Sequence, residues 1–492
     1  MSHIICGMML SILKCPPPVM VILPFLCVEV ALFIVILLFF MEVFMKIKKI
    51  IAAFILLSAF AYINAEEKTS LLESLSKVNW ITKDFKSNVK IDIDKAGIPM
   101  PSGKMTAINT ISTRMPDLVK NPILTLNVNS NKKLGDLILD QEITYQDIKK
   151  VISDSKSTMG YMEKDSSVFT TDNSVDLLKI SSLFVRHNIP YRLQKPIEFV
   201  SSKAYTGIII DARGSLPVHG EFIKDKAEPC FFPRIFSDEM DLIYEHNMVS
   251  PDIAKSKGVC FYDYSDDASR YEKIIGKAPV YILAQKTFGQ NRSDIIIKKE
   301  DALKITCIPE NLELLRQGKV VILLDKEQLV YDVSAPDKDK EYYTLLNKIK
   351  LYPVREFLGP DKIEDGPDGI RFLYNLKFIP NSPELLPEER SRISECAVLL
   401  KEALKDSSYS IFVGGHTADI GQPQNQMILS VQRTQTIIKA LVAEGIPENL
   451  FTYRGYGATI PKGDNSTPEG RAVNRRVEIT LRPKTVYIQR AN

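Results

Sequence analysis

The chain has 492 residues, room for two to four domains at roughly 100–200 residues each. Hydrophobic residues make up 45% and charged residues 25%, a globular balance that excludes a disordered or low-complexity chain. The formal charge is +3, of which residues 1–65 hold +2, so the remainder has no basic footprint for nucleic acid.

The first 65 residues contain two apolar segments. Val19 to Phe40 is long enough to cross a bilayer and carries Glu29 at membrane depth, where a carboxyl is costly. Met45-Lys46-Ile47-Lys48-Lys49 is a basic start, Ile50 to Ala61 an apolar stretch, and Ala65 suits a cleavage point before Glu66. That order is a secretory signal peptide over 45–65. The favoured reading starts translation at Met45, so that residues 1–44 are not made. The alternative keeps Val19–Phe40 as a membrane helix. Under it the protein resembles MotB-type stator proteins, although those carry an aspartate on the helix. No Cys lies in Ser58–Ala65, so a lipid anchor at that signal is not expected.

Cysteines do not form a metal pattern. Cys6, Cys15 and Cys27 are N-terminal; Cys230, Cys260, Cys307 and Cys396 are scattered, with no CxxC pair. A Cys230–Cys260 bridge is one option in an oxidising compartment; isolated thiols in or near cores are the favoured one.

Residues 66–359 read as mixed α and β, with 66–190 and 191–359 as two modules. Tyr145 to Ser153 and Val175 to His187 have helical spacing. Phe199-Val200, Tyr205 to Asp211, Val280 to Gln285 and Lys319 to Leu324 read as strands, the run Gly207-Ile208-Ile209-Ile210 suiting a buried one. Asp211 and Arg213 follow that strand and His219 lies nearby, so a catalytic site can be drawn there. The favoured reading is a strand-end Asp capping a turn and pairing with Arg213. No phosphate loop, metal-spaced His cluster or nucleophile elbow is present, so no catalytic residue, metal or cofactor is assigned. Lys203 to Leu303 resembles a domain of envelope and flagellum-associated bacterial proteins, the FlgP and FlgT groups. Gly and Pro concentrate between Leu358 and Gly369, the expected domain boundary.

From Gly369 the pattern is dense. Strands are expected at Ile370–Phe378, Tyr409–Gly415, Leu450–Arg454 and Arg476–Leu481. Helices are expected at Leu385–Leu404 and Asn425–Glu444, the second ended by Gly445 as a left-handed cap. The order β-α-β-α-β-β predicts an α+β domain with both helices on one sheet face. Residues 484–492 read as a tail.

Five blocks in this region, Gly415-His416-Thr417, Leu429-Ser430-Val431-Gln432-Arg433, Gly455-Tyr456-Gly457, Asn465 to Arg471 and Asn474 to Glu478, resemble in order and spacing the OmpA-like family, which includes Pal and the MotB C-terminal domain. The resemblance spans 369–483. It implies an exported, non-enzymatic protein of the periplasm or outer membrane that holds the peptidoglycan stem peptide without covalent chemistry. The middle region would then present a surface to outer-membrane or flagellar envelope proteins. In the family, an Asp and an Arg grip the ammonium and carboxylate of the stem's diamino acid. Arg433 matches by position. Ala418 stands where the family has Asp, and Asp419 follows one residue later. Gln426 aligns with a family Asn, with Asn425 displaced by one. The expected ligand-binding set is Arg433, Asp419, Thr417, Gln426, Asn425, Asn474 and Arg475, the last two bracing the binding loop. His416 is expected to be a satisfied structural histidine, and Arg476 and Glu478 a solvated pair.

Overall fold

The computed structural model describes residues 71–491 apart from 100–101, 165–166, 194–195, 222, 354–357 and 406–408. The two apolar N-terminal segments, with Glu29 and the signal peptide expected over 45–65, lie outside the described residues. No helix of the described residues is long and apolar enough to cross a membrane.

The first sheet grows from strict alternation. In β1 (Leu72–Asn79) Leu72, Ser74, Ser76 and Val78 turn inward; in β2 (Asp84–Asp92) Phe85, Ser87, Val89 and Ile91 do so. The Asn79 side chain accepts from the amides of Ile81 and Thr82 and closes the turn between them. β3 (Val168–Asp176) extends the sheet by pairing with β2 along its whole length. Helix α1 (Gly103–Leu124) supplies Ala107, Ile111, Met115, Leu118 and Ile123 to the same core. Helix α2 (Tyr145–Ser153) falls where its spacing predicts, capped reciprocally by Thr144 and Asp147. The helix expected from Val175 is shorter. Strand pairing holds the chain through Asp176, which then caps a helix of only Leu177–Ser182.

The middle region is built on a parallel sheet of β4 (Ile208–Asp211), β5 (Phe261–Asp263), β6 (Val280–Leu283) and β7 (Val320–Leu323), in the order β5–β7–β4–β6. The apolar runs of β4 and β7 are buried on both faces. Ile208 and Ile210 join the large core, while Ile209, Val321 and Leu323 pack with Tyr271 and Ile275 on the other side. Phe199-Val200 forms no strand; Phe199 is exposed and no neighbour pairs with it. The four described cysteines are free thiols, so Cys230 and Cys260 are not bridged. β8 (Val330–Asp332) returns to the first sheet, pairing with Lys77–Asn79 of β1.

The C-terminal region contains α3 (Lys340–Lys350), β9 (Lys362–Gly366), β10 (Gly369–Tyr374), α4 (Arg390–Leu404), β11 (Ser410–His416), α5 (Pro423–Ala443), β12 (Phe451–Gly457), α6 (Pro468–Asn474) and β13 (Val477–Arg482). The sheet order is β9–β10–β13–β11–β12, with only β11 and β12 parallel. One core unites Ile370 and Phe372 of β10, Cys396 and Leu400 of α4, and Ile437 and Leu441 of α5. Gly445, at φ 93°, ends α5 in the left-handed conformation expected of it. Three features exceed the β-α-β-α-β-β expectation, one of them α6 between β12 and β13. β9 precedes Gly369 and pairs with β10, and α3 adds Tyr342, Leu346 and Ile349 to the core.

The last residues are not a loose tail. β14 (Thr485–Val486) pairs with Ala335–Pro336, and β15 (Ile488–Ala491) pairs with Leu72–Leu75 of β1. β8 and β15 thus share β1 as their partner, each covering one half of it.

Candidate functional site

The spacing of α5 on the sheet places the central side chain. Ser430 is fully buried; its hydroxyl donates to the Met427 carbonyl at 2.7 Å and accepts from the Gly457 amide at 2.9 Å. A Cβ on Gly415 would stand 2.6 Å from the Ser430 carbonyl oxygen, and one on Gly455 2.6 Å from the Val431 nitrogen. Those two glycines let the helix approach the strands. Arg433, one turn on from Ser430, then projects from the same helix face.

Arg433 opens on a pocket of about 580 Å³ between the end of β11, the start of α5 and the loop after β10. Its Nε donates to the Ser382 carbonyl at 3.2 Å, and its guanidinium lies 4.5 Å from the centre of the Phe378 ring. No carboxylate pairs with it among the described residues. Burial first, then Arg475, pulls its pKa down to about 10, so it remains charged at neutral pH. Arg475 and Lys377 also line the pocket, and no lining side chain is acidic. The rest of the wall is largely apolar, with Leu376, Phe378, Ala418, Ile420 and Leu429. Thr417 adds a buried hydroxyl with no hydrogen-bond partner among the described residues. The site can therefore hold an anion through guanidinium groups and pack an aliphatic body beside it. Among the described residues no cluster of His, Cys, Asp and Glu could hold a metal ion.

The sequence-predicted residues divide into two groups. Arg433, Thr417, Gln426 and Arg475 line the pocket. Asp419, Asn425 and Asn474 do not. Asp419 is exposed and turned into its own loop, accepting from the Gly421 amide at 2.9 Å and, at 3.5 Å, from Gln426. Asn425 is exposed and bonds Gln422. Asn474 is buried and braces. It accepts from the amides of Lys462 and Gly463 and donates to Asn465 at 2.8 Å, and Asn465 in turn accepts from the Asp419 amide at 3.0 Å. Sequence alone does not place Lys377 and Phe378 in the wall, nor the Ser382 carbonyl against Arg433. Pro380 and Pro383 mark a turn in the sequence, but its position against α5 is tertiary.

The matching family models fall in three stretches. Residues 71–183 match the N-terminal domain of Treponema pallidum Tp0624, and residues 207–326 match its second domain. Residues 377–475 match the OmpA family. The C-terminal domain is a member of the OmpA family. The chain is 37% identical over 143 residues to the probable lipoprotein YiaD of Escherichia coli, covering 29% of this chain and 64% of that one. It is 34% identical over 106 residues to the peptidoglycan-binding protein ArfA of Mycobacterium tuberculosis, covering 22% of this chain and 32% of that one. The chain thus spans less than two thirds of these relatives' length. Among solved structures, the cell wall anchor of the T6SS from Pseudomonas aeruginosa is 26% identical, with a TM-score of 0.23, covering 29% of this chain and 97% of that one.

Within the OmpA-like domain, two expectations need correction. Arg476 and Glu478 do pair, at 2.7 Å, but the pair is sequestered rather than solvated, since Arg476 is only 4% exposed. His416 is buried and stacks on Tyr456 with ring centres 4.9 Å apart, yet neither ring nitrogen has a hydrogen-bond partner among the described residues. It is structural in position without being satisfied.

The strand-end group in the middle region is closed on itself. Asp211 accepts from Arg213 Nε at 2.8 Å and Nη2 at 2.6 Å, and from the Tyr281 hydroxyl. His219 packs edge-on to Phe288 and makes no hydrogen bond to Asp211.

Proposed function

We propose that this is an exported cell-envelope protein whose OmpA-like domain holds peptidoglycan non-covalently at the Arg433 pocket and so anchors an envelope assembly. One observation carries the reading: a nearly buried guanidinium, without a carboxylate partner, faces a pocket with no acidic side chain. Such a group calls for an anion from outside, and Arg grips a carboxylate through parallel charge-assisted bonds. The stem peptide of peptidoglycan offers carboxylates on a short aliphatic chain, and the apolar wall suits that chain. The relative ArfA, named for peptidoglycan binding, supports the same class of ligand.

Ala418 and the outward turn of Asp419 shape the selectivity. The stem's carboxylate is held by Arg433 and Arg475, with Thr417 as a hydroxyl partner, while a side-chain ammonium meets no carboxylate in the pocket wall. Gln426 lines the same pocket as a neutral partner. Residues 71–359 present the surface for the anchored partner.

Co-sedimentation of the full chain with purified sacculi tests the reading. The unmutated protein is expected in the pellet and Arg433→Ala largely in the supernatant. Failure of the unmutated protein to sediment overturns it.

A further inference from the structure

Arg433 is 7% exposed and commits its Nε to the Ser382 carbonyl at 3.2 Å. Its two Nη amino groups have no hydrogen-bond partner among the described residues and are left for a guest. Arg475 and Lys377 line the same pocket of about 580 Å³, and no acid does. Asp419 is turned into its own loop, where it accepts from the Gly421 amide at 2.9 Å.

Gln426 supplies the second feature. It lines the pocket and is only 4% exposed. Its Nε2 donates to Asp419 at 3.5 Å, and a carboxylate on that side holds the amide with its N–H groups toward the loop and its oxygen away. Oε1 accepts no hydrogen bond among the described residues, and neither it nor the Arg433 Nη groups are sealed from solvent. The pocket thus presents two charged donors and one neutral acceptor.

A carboxylate arrives with one of two neighbours on its own carbon. The zwitterionic side-chain end of a diamino acid carries an ammonium there; the C-terminus of a peptide carries an amide N–H. An ammonium drawn in beside Arg433 would stand among three cations with no acid in the wall, where a largely apolar surround strengthens the repulsion. An amide N–H brings no charge and finds its acceptor in Gln426 Oε1. The side chain on that carbon meets Leu376, Phe378, Ala418 and Leu429, which suits an aliphatic one. We propose, on the reading of this pocket as a peptidoglycan site, that it takes the free C-terminus of a stem: the carboxylate on the Arg433 Nη groups, the last amide N–H on Gln426, and an aliphatic last side chain on the apolar wall. The site discriminates against a carboxylate that shares its carbon with an ammonium, and against stems whose last carboxyl group is tied up in a cross-link.

The test is calorimetric titration of the full chain with four probes: diacetyl-lysyl-D-alanyl-D-alanine, its C-terminal amide, the depsipeptide ending in D-lactate, which lacks the last N–H, and meso-diaminopimelate. The peptide acid is expected to bind with a millimolar or tighter Kd, and each of the other three about tenfold or more weakly. Gln426→Leu, checked for cooperative melting, is expected to bind the peptide acid and the depsipeptide alike; if that variant does not fold, the depsipeptide comparison on the unmutated protein decides. Diaminopimelate binding as tightly as the peptide acid overturns the proposal. So does an unchanged affinity on amidation or on ester replacement, a folded Gln426→Leu that still tells amide from ester, or no binding of the peptide acid. Sedimentation with sacculi keeps such a failure apart from failure of the anchoring reading: Arg433-dependent pelleting without these preferences retains the anchor and removes the C-terminal mode.

Discussion

Arg433 lies over the ring of Phe378, its guanidinium carbon 4.5 Å from the ring centre. The ring faces the cation without neutralising it, so the guanidinium keeps its full charge for a ligand. Replacing Phe378 by Ala removes the cation–π contact and one apolar wall. Affinity for stem peptide should fall by about 1 kcal/mol, roughly fivefold, while Phe378→Tyr should retain it. Calorimetric titration of the two variants checks the difference.

Ala418 lines the same pocket as Arg433 and Arg475. An acid placed there by Ala418→Asp would lie beside two guanidinium groups and offer a partner for an ammonium. Affinity for a stem peptide whose third residue carries a side-chain ammonium should rise about tenfold. A peptide with an uncharged third side chain should not gain. Parallel titration of the two peptides reads this.

Acid should destabilise the OmpA-like domain through His416. Burial first, then Arg476, outweigh Glu478 and push its pKa from the usual 6.5 down to about 3. Between those values the unfolded chain binds a proton that the folded domain refuses. Stability is therefore highest above the unfolded pKa and declines as pH falls from 6.5 toward 3, by roughly 1.4 kcal/mol per pH unit. His416→Phe should flatten that slope. Denaturant melts at several pH values distinguish the two proteins.

Removing residues 484–492 should loosen the opposite end of the chain. β15 covers Leu72–Leu75 of β1, and its loss leaves that edge unpaired. Hydrogen exchange should accelerate at Leu72–Leu75 and not in β11 or β13. The first sheet should lose roughly 2 kcal/mol or more, from several ladder hydrogen bonds at about 1 kcal/mol each. Exchange mass spectrometry separates this from general unfolding.

The C-terminal elements were legible because their signals are local. Apolar spacing gives α4 and α5, and Gly445 marks the end of α5. Arg433 was legible because Ser430 three residues earlier fixes the buried face. Asp419 could not be placed from sequence, since a one-residue shift in a loop leaves the side-chain direction open until Asn465 and Gln426 hold it. Phe378 reaches the pocket, and the Ser382 carbonyl reaches Arg433, only through packing against α5. The final strand was hidden for a similar reason: Ile488–Ala491 is short, and its partner lies more than 400 residues away in sequence. His416 looked satisfied because buried histidines usually are, and only the surrounding ion pairs show that every nearby partner is already engaged.

The most direct measurement is titration of the full chain with a stem tripeptide and with the same peptide amidated at its terminal carboxyl. The free carboxylate should bind, and Arg433→Ala should weaken it roughly 10- to 100-fold, the worth of a charge-assisted bond of about 1.5–3 kcal/mol. Amidation should cost the unmutated protein a similar factor. Equal binding of the two peptides, or an unchanged affinity in Arg433→Ala, would contradict the role given to that guanidinium.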